Sequence, residues 1–277
     1  MSKKTILLSD ETFHQTFLSS YKSIIFVDPY LFVCIYFDKT RKKFIYFFQQ
    51  NSEIPFVIGE IQRFLEINYA LSAEVEKHII YSTPYVHCVP AAFYNENKID
   101  SFNVLFSNKN KQFVHKSLWN LYLYYIPQYN YNDYLSSLKN TKIYSHIHQT
   151  MMQAYYYQQK FKAKDIVAAH LHNKYFELVC LKNNVPCLIN TFLYFNADDI
   201  IYFIENVVQS LQIKKDNLEL ILSGRFSKKD ELLSKCKDLN YSYKLADFNN
   251  RYIYSYRLNE LLSHQYSTMF YLPYEDY

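Results

Sequence analysis

The sequence predicts a mixed α/β protein in which one unit of three strands, a helix and a further strand occurs twice, giving a duplicated domain whose halves face each other. Two observations carry this. Residues 165–195 repeat the layout of residues 23–48, and in both halves an amphipathic helical stretch and then a buried apolar run follow in the same order. Such β-then-α units build layered sheets with helices on their faces.

In the first half, Ser23 to Asp28 and Tyr30 to Phe37 read as apolar strands broken at Asp28-Pro29, and the charged turn Asp38 to Lys43 leads into a third strand, Phe44 to Phe48. Pro55 opens a segment with Val57, Ile58, Ile61, Phe64, Leu65 and Leu71 at helical spacing, predicted to run to about residue 75. Ile79 to Ser82 is a buried strand, and Val86 to Pro90 follows a break. The second half opens with Ile166 to Leu171 and Tyr175 to Leu181, turns at Lys182-Asn183-Asn184 and returns from Val185 to Phe195. Asn196 then stands as a helix cap before Asp198 and Asp199, whose charges suit a helix N-terminus. Ile200, Ile204, Val207, Val208 and Leu211 share one face, Leu218 to Gly224 is the next strand, and Lys229 to Leu239 a further helix.

Between the halves lies a less regular, tyrosine-rich insert of about residues 91–150. It reads as a hairpin over 101–116 around Ser107 to Asn110, a strand from Leu121 to Ile126, and helices from Tyr131 to Leu138 and Ile143 to Phe161. The linker-like stretch Lys160 to Asp165 sets the boundary, giving domains of 1–162 and 163–277.

Composition excludes several classes. Of 277 residues 49% are hydrophobic and 19% aromatic, which is a folded chain with cores and not a disordered one. The 30 Tyr and 22 Phe are best read as the mark of an AT-rich genome. A net charge of +4 is dispersed over short runs such as Arg41-Lys42-Lys43, Lys214-Lys215 and Lys228-Lys229, which read as solvated turns before phosphate contacts. No apolar run reaches the roughly 18 residues of a membrane span, and the apolar stretch after Met1-Ser2-Lys3-Lys4 is too short for a signal peptide, so the expectation is a cytoplasmic protein. Five cysteines, odd in number and without a C-x-x-C pair, read as reduced, buried thiols.

G-x-S-x-G, P-loop and Rossmann fingerprints are all absent, which removes the common Ser-hydrolase, NTPase and dehydrogenase readings. His170 and His172 lie two apart on a strand and therefore on one face, a spacing that suits an adjacent pair of zinc ligands, but no third ligand stands nearby. Lining the cleft is their expected role, and no metal site is assigned. His146 and His148 share the spacing within a helix-like segment, where positions two apart diverge, and read as surface or capping histidines. His87 and Cys88, as strand neighbours, point apart and form no dyad. Tyr122, Tyr124, Tyr129, Tyr131 and Tyr134 crowd the insert and are the candidate partner surface, because tyrosine is enriched at protein interfaces.

The repeated β-β-β-α-β order resembles the actin-like ATPase superfamily, a duplicated ribonuclease H-like fold. In layout it is similar to the pilus-assembly protein PilM, the cell-division protein FtsA and the cytoplasmic region of type II secretion protein L, and closer still to a family of Bacteroidota proteins in the same superfamily without an assigned role. The resemblance implies a nucleotide cleft between the halves, with Asp-x-Gly in the first hairpin of each domain and a strand ending in paired glycines under the adenosine. Here the equivalent positions hold Phe26-Val27-Asp28, His170-Leu171-His172 and Leu222-Ser223-Gly224-Arg225-Phe226. With only Gly59 and Gly224 in the chain, no glycine-built phosphate cradle is available. The expectation is therefore a non-catalytic, pseudo-ATPase scaffold or adaptor that binds another protein, with no catalytic residues and no cofactor, ATP/Mg being the one that the fold would suggest. Asp28, His170, His172, Lys174, Gly224 and Arg225 are the candidate cleft residues. The alternatives are a switch that binds a nucleotide or other anion in the cleft, and an RNA- or ribosome-associated protein using Lys, Arg and exposed tyrosines.

Overall fold

The computed structural model describes residues 5–94, 113–116, 119–126, 131–159, 164–226 and 230–270. Its first sheet has seven strands: β1 (Thr5–Ser9), β2 (Tyr21–Asp28), β3 (Leu31–Asp38), β4 (Lys43–Asn51), β5 (Glu76–Tyr81), β9 (Thr141–His146) and β15 (Ile253–Tyr254). Between β4 and β5 lies helix α1 (Ile58–Ile67). The insert supplies β6 (Val86–Pro90), β7 (Phe113–Lys116) and β8 (Leu121–Tyr125), a three-stranded sheet in the order β6-β8-β7, and the short helix α2 (Asn132–Ser136). Helix α3 (Ile147–Gln159) follows β9 directly. The second sheet has five strands, β10 (Asp165–Leu171), β11 (Tyr175–Lys182), β12 (Val185–Leu193), β13 (Leu218–Gly224) and β14 (Tyr243–Leu245), with α4 (Ala197–Ser210) before β13 and α5 (Glu231–Asp238) after it. The short helix α6 (Ser263–Tyr266) comes last.

The duplication holds strand by strand. The runs β4-β3-β2-β5-β9 and β12-β11-β10-β13-β14 match in order and direction: an antiparallel meander, then two parallel strands beside its first member. Every residue of β2, β3, β10 and β13 is buried, which their continuous apolar runs require of strands covered on both faces. On one face of the second sheet Ile166, Ala168, Val179, Leu181 and Ile221 join the large first core. On the other, Val167, Leu178, Cys180, Leu220 and Leu222 pack with Ile204 and Val208 of α4 and Leu232 and Cys236 of α5.

Four sequence expectations are revised. The helix after Pro55 ends at Ile67, short of residue 75, because Tyr69 takes a left-handed backbone (φ 59°) and the buried Asn68 seals the end. Its Nδ2 donates to Phe64 O (2.6 Å), while its Oδ1 accepts from Tyr46 and its backbone carbonyl from Tyr36 (both 2.6 Å). The segment read as one helix from Ile143 is strand as far as His146 and helix only from Ile147, because Thr141 to His146 pair with β5. The N-terminal Thr5–Ser9, which carried no fold role in the sequence reading, pairs with β4. Finally, residues 253–270 reach back to the first sheet while still touching the second: Ile253 and Tyr254 pair with Lys43 and Phe44 of β4, Phe270 packs against Phe44 and Phe47, and His264 and Thr268 meet Phe226 O and His170. The cap at Asn196 forms as expected, its Oδ1 accepting from Asp199 N (3.1 Å) while Asp199 accepts in return from Asn196 N (3.3 Å). Most of the hairpin expected over 101–116, and most of the linker expected from Lys160, lie outside the described residues.

Candidate functional site

Parallel strands present their C-terminal ends on one edge of a sheet, and in open α/β sheets that edge is where ligands sit. Here the edges of the two sheets meet. From the first come Asp28 at the end of β2, Ser82 just beyond β5 and His146 at the end of β9; from the second come His170 in β10, His172 just after it, Tyr175 and Glu177 at the start of β11, and Ser223 in β13. All eight are buried, and Glu177 and His146 have no exposed surface at all.

They form a continuous polar network across the domain boundary. Asp28 Oδ2 accepts from the Tyr175 hydroxyl (2.7 Å) and lies 3.3 Å from His172 Nδ1; Asp28 Oδ1 accepts from Tyr30 N (2.8 Å). On its other side, His172 Nε2 is 3.4 Å from Glu177 Oε1, which also accepts from Ser82 Oγ (2.8 Å). Ser82 Oγ in turn lies 2.8 Å from Tyr175 OH, and the Tyr175 ring stacks on His172 at 4.4 Å between centroids.

Burial disfavours a charge on His172, but its hydrogen bonds with Asp28 and Glu177 outweigh burial and hold the imidazole pKa above the usual value. For Asp28, burial pushes the carboxyl up, and the bond to His172 with the charges of His172 and Arg225 brings it below the usual carboxylate range. Glu177 is likewise carried below that range, burial being outweighed by the surrounding His148, His146 and His172. The core of the network is thus an imidazolium held between two carboxylates. His170 is different: burial first, then the neighbouring His172 charge, lowers it to about 3, and the neutral ring meets Ser223 Oγ at 2.8 Å and Thr268 Oγ1 at 3.3 Å.

Beside the network opens a cleft of about 1300 Å³, lined by Gln49, Asn51 and Ser52 of the first domain, His170, His172 and Arg225 of the second, and Tyr266 and Met269 of the returning segment. Arg225 spans it, donating from Nη2 to Asn51 Oδ1 (3.0 Å) and Tyr30 O (3.3 Å). Lys174 is exposed on the second hairpin turn, its Nζ 5.7 Å from the centroid of Tyr30 on the first, and does not line the cleft. Gly224 has a structural task. At φ +94° it passes so close to β10 that a Cβ there would stand 2.2 Å from Leu171 O. The structure therefore brings Asp28, His170, His172 and Arg225 together and leaves Lys174 outside.

The candidate tyrosine surface separates. Tyr124 and Tyr131 are buried in the body, which corrects their reading as surface residues. Tyr122 stacks face to face on Tyr94 at 3.8 Å between centroids, Tyr134 is half-buried, and Tyr129 lies outside the described residues. His146 and His148, read as surface or capping residues, are both fully buried with ring centroids 4.7 Å apart. The strand-to-helix junction between them, unlike continuous helix, turns both rings to the same side. Glu177 was also missed, although a lone carboxylate inside Tyr175–Leu181 was a usable signal, since a buried charge demands partners.

Among solved structures, a Bacteroides thetaiotaomicron protein described as having an actin-like ATPase fold and unknown function superposes with a TM-score of 0.72 at 14% identity, over 84% of this chain and 93% of that one. The structure of the PilM-PilN type IV pilus biogenesis complex superposes at 0.53 and 9% identity, over 90% of this chain and 96% of that one. No curated protein matches the sequence. The described residues contain no helix long and apolar enough to cross a membrane. The family model described as protein of unknown function (DUF3822) matches residues 10–241, so this chain, with its duplicated actin-like fold, belongs to the DUF3822 family.

Proposed function

We propose that the chain is a cytoplasmic actin-like body that works as a scaffold or adaptor by binding another protein, without hydrolysing a nucleotide. The observation that supports this most is the Asp28–His172–Glu177 ion network. The two hairpins at which the superfamily resemblance places phosphate-binding loops are tied to each other by their own side chains. Asp28, the acid at the turn of the first hairpin, is already committed to Tyr30, Tyr175 and His172. Gly224 meets a packing need against Leu171 instead of opening a path to a ligand. The PilM fold, found in complex with PilN, is one precedent for such a body holding a partner.

A second reading is favoured by one observation. The cleft beside the network carries Arg225, whose guanidinium could turn from Asn51 to an anion. Melting temperature with and without millimolar Mg-ATP, Mg-ADP and GTP separates the two. A ligand at a hundred times its dissociation constant adds about 2.7 kcal/mol, or roughly 6 °C for a chain of this size. The scaffold reading expects no shift and no phosphate release; a shift abolished by Arg225→Ala would establish the switch and overturn it.

A further inference from the structure

We propose that His146, His148 and Glu177 form a binding site for one divalent transition-metal ion, Zn²⁺ foremost, which clasps the first domain to the second. One candidate ligand atom from each lies within 4.8 Å of the others, and all three residues are completely buried. Two donors are bare: among the described residues His148 Nδ1 and Glu177 Oε2 have no hydrogen-bond partner. A lone pair and a carboxylate oxygen, both shut off from water and both lacking a donor, are what a cation between them would satisfy. The remaining contacts orient two of the three ligands, His148 and Glu177. His148 Nε2 meets Asn190 O at 3.2 Å, which fixes the ring and its tautomer with Nδ1 free to coordinate. Glu177 is anchored through its other oxygen by Ser82 (2.8 Å) and His172 (3.4 Å).

His146 Nε2 stands 3.9 Å from Glu177 Oε1 and 3.1 Å from Thr83 O, and its Nδ1 accepts from His148 N (3.3 Å), so coordination through Nε2 replaces the Thr83 contact and moves the ring proton to Nδ1, which gives up the His148 amide. Metal bonds of about 2.0–2.2 Å place tetrahedral donors roughly 3.4 Å apart, a contraction of the longest pair by about 1.4 Å. Two imidazoles and one carboxylate suit Zn²⁺ and its neighbours Co²⁺ and Ni²⁺ and disfavour Mg²⁺ and Ca²⁺, which take oxygen ligands. His146 and His148 belong to the β9–α3 junction of the first domain and Glu177 to β11 of the second, so a bound ion bridges the halves independently of whatever occupies the neighbouring cleft.

The test uses full-length protein without an affinity tag, stripped with a chelator and titrated with Co²⁺. Visible d–d absorption saturating at one equivalent, displaced by Zn²⁺, and a melting temperature raised by Zn²⁺ but not Mg²⁺ are expected. His148→Ala and Glu177→Gln should each weaken Co²⁺ binding at least tenfold. Absence of Co²⁺ uptake by the wild-type protein overturns the proposal whether or not the variants fold. Uptake undiminished in folded His148→Ala overturns it too, by placing the ion elsewhere.

Discussion

Removing Asp28 tests whether the interdomain network is a coupled unit or a set of independent contacts. In Asp28→Ala the Tyr30 amide and the Tyr175 hydroxyl lose this carboxylate as acceptor, and the His172 imidazolium keeps one of its two flanking carboxylates. Breaking a buried ion pair by deleting one partner destabilises by about 3–5 kcal/mol, because the other charge stays buried without compensation. At roughly 2.5 °C per kcal/mol, the melting temperature should fall by about 7–12 °C. His172→Ala should have a similar effect, since it leaves Asp28 and Glu177 facing each other without the cation between them. The double variant is the informative one. Once either partner is gone, removing the second relieves an uncompensated charge, so the double variant should fall short of the sum of the singles by at least about 1.5 kcal/mol. Urea unfolding of the four proteins, followed by both far-UV circular dichroism and tyrosine fluorescence, measures the cycle. Additivity within about 0.5 kcal/mol would refute the network as the tie between the domains.

Three further outcomes are expected. Gly224→Ala should destabilise by about 2–4 kcal/mol through its positive φ and the 2.2 Å approach to Leu171 O, whereas Gly59→Ala, in α1 with open space around it, should stabilise by about 0.5–1 kcal/mol; the two melting temperatures read out the contrast. Lys77, buried in β5, donates from Nζ to Ser72 O (2.6 Å), Lys139 O (2.8 Å) and Val75 O (3.0 Å), so Lys77→Met should cost about 2–4 kcal/mol by stranding three carbonyls, and a loss below 1 kcal/mol in urea would count against that account. Burial lowers His170 to about 3 and His78 to about 4, so the folded state refuses protons that the unfolded chain accepts below about 6.5. Each should therefore remove on the order of 2 kcal/mol between pH 6.5 and 5. His172, held above its usual value, acts oppositely: its contribution is complete below about 6.5 and is lost as pH rises through its folded pKa. His78→Gln should flatten the acid side of a melting-temperature profile, and an unchanged profile would contradict the buried-neutral assignment.

The fold was legible because its signal is repetition. Two apolar hairpins followed by helix and strand state the duplicated architecture, and strands as thoroughly buried as β2 and β10 leave long runs that sequence shows directly. The site was half legible. Asp28, His170, His172 and Arg225 fall at the hairpin and strand ends that the superfamily layout marks out. Ser82, Tyr175 and Glu177 also lie at strand ends but belong to no motif of that layout, because their importance comes from reaching the opposite sheet, and the contact between Ser82 and Glu177 spans 95 positions. His146 and His148 were misread for a local reason: helical spacing was extended four residues too far, and the face on which a side chain lies depends on where strand becomes helix.

The return of the chain to its first sheet sets a timetable for synthesis. Phe44 and Phe47, on a strand made early, are covered by Tyr254, Tyr266 and Phe270, which leave the ribosome roughly two hundred residues later. At 5–20 residues per second that is about 10–40 s during which an aromatic surface and the Lys43–Phe44 stretch of strand edge wait uncovered. A nascent chain in that interval offers chaperones and other nascent copies a hydrophobic edge that the finished protein withdraws, so truncation before residue 270 should send the product to aggregates even though both sheets are encoded almost in full.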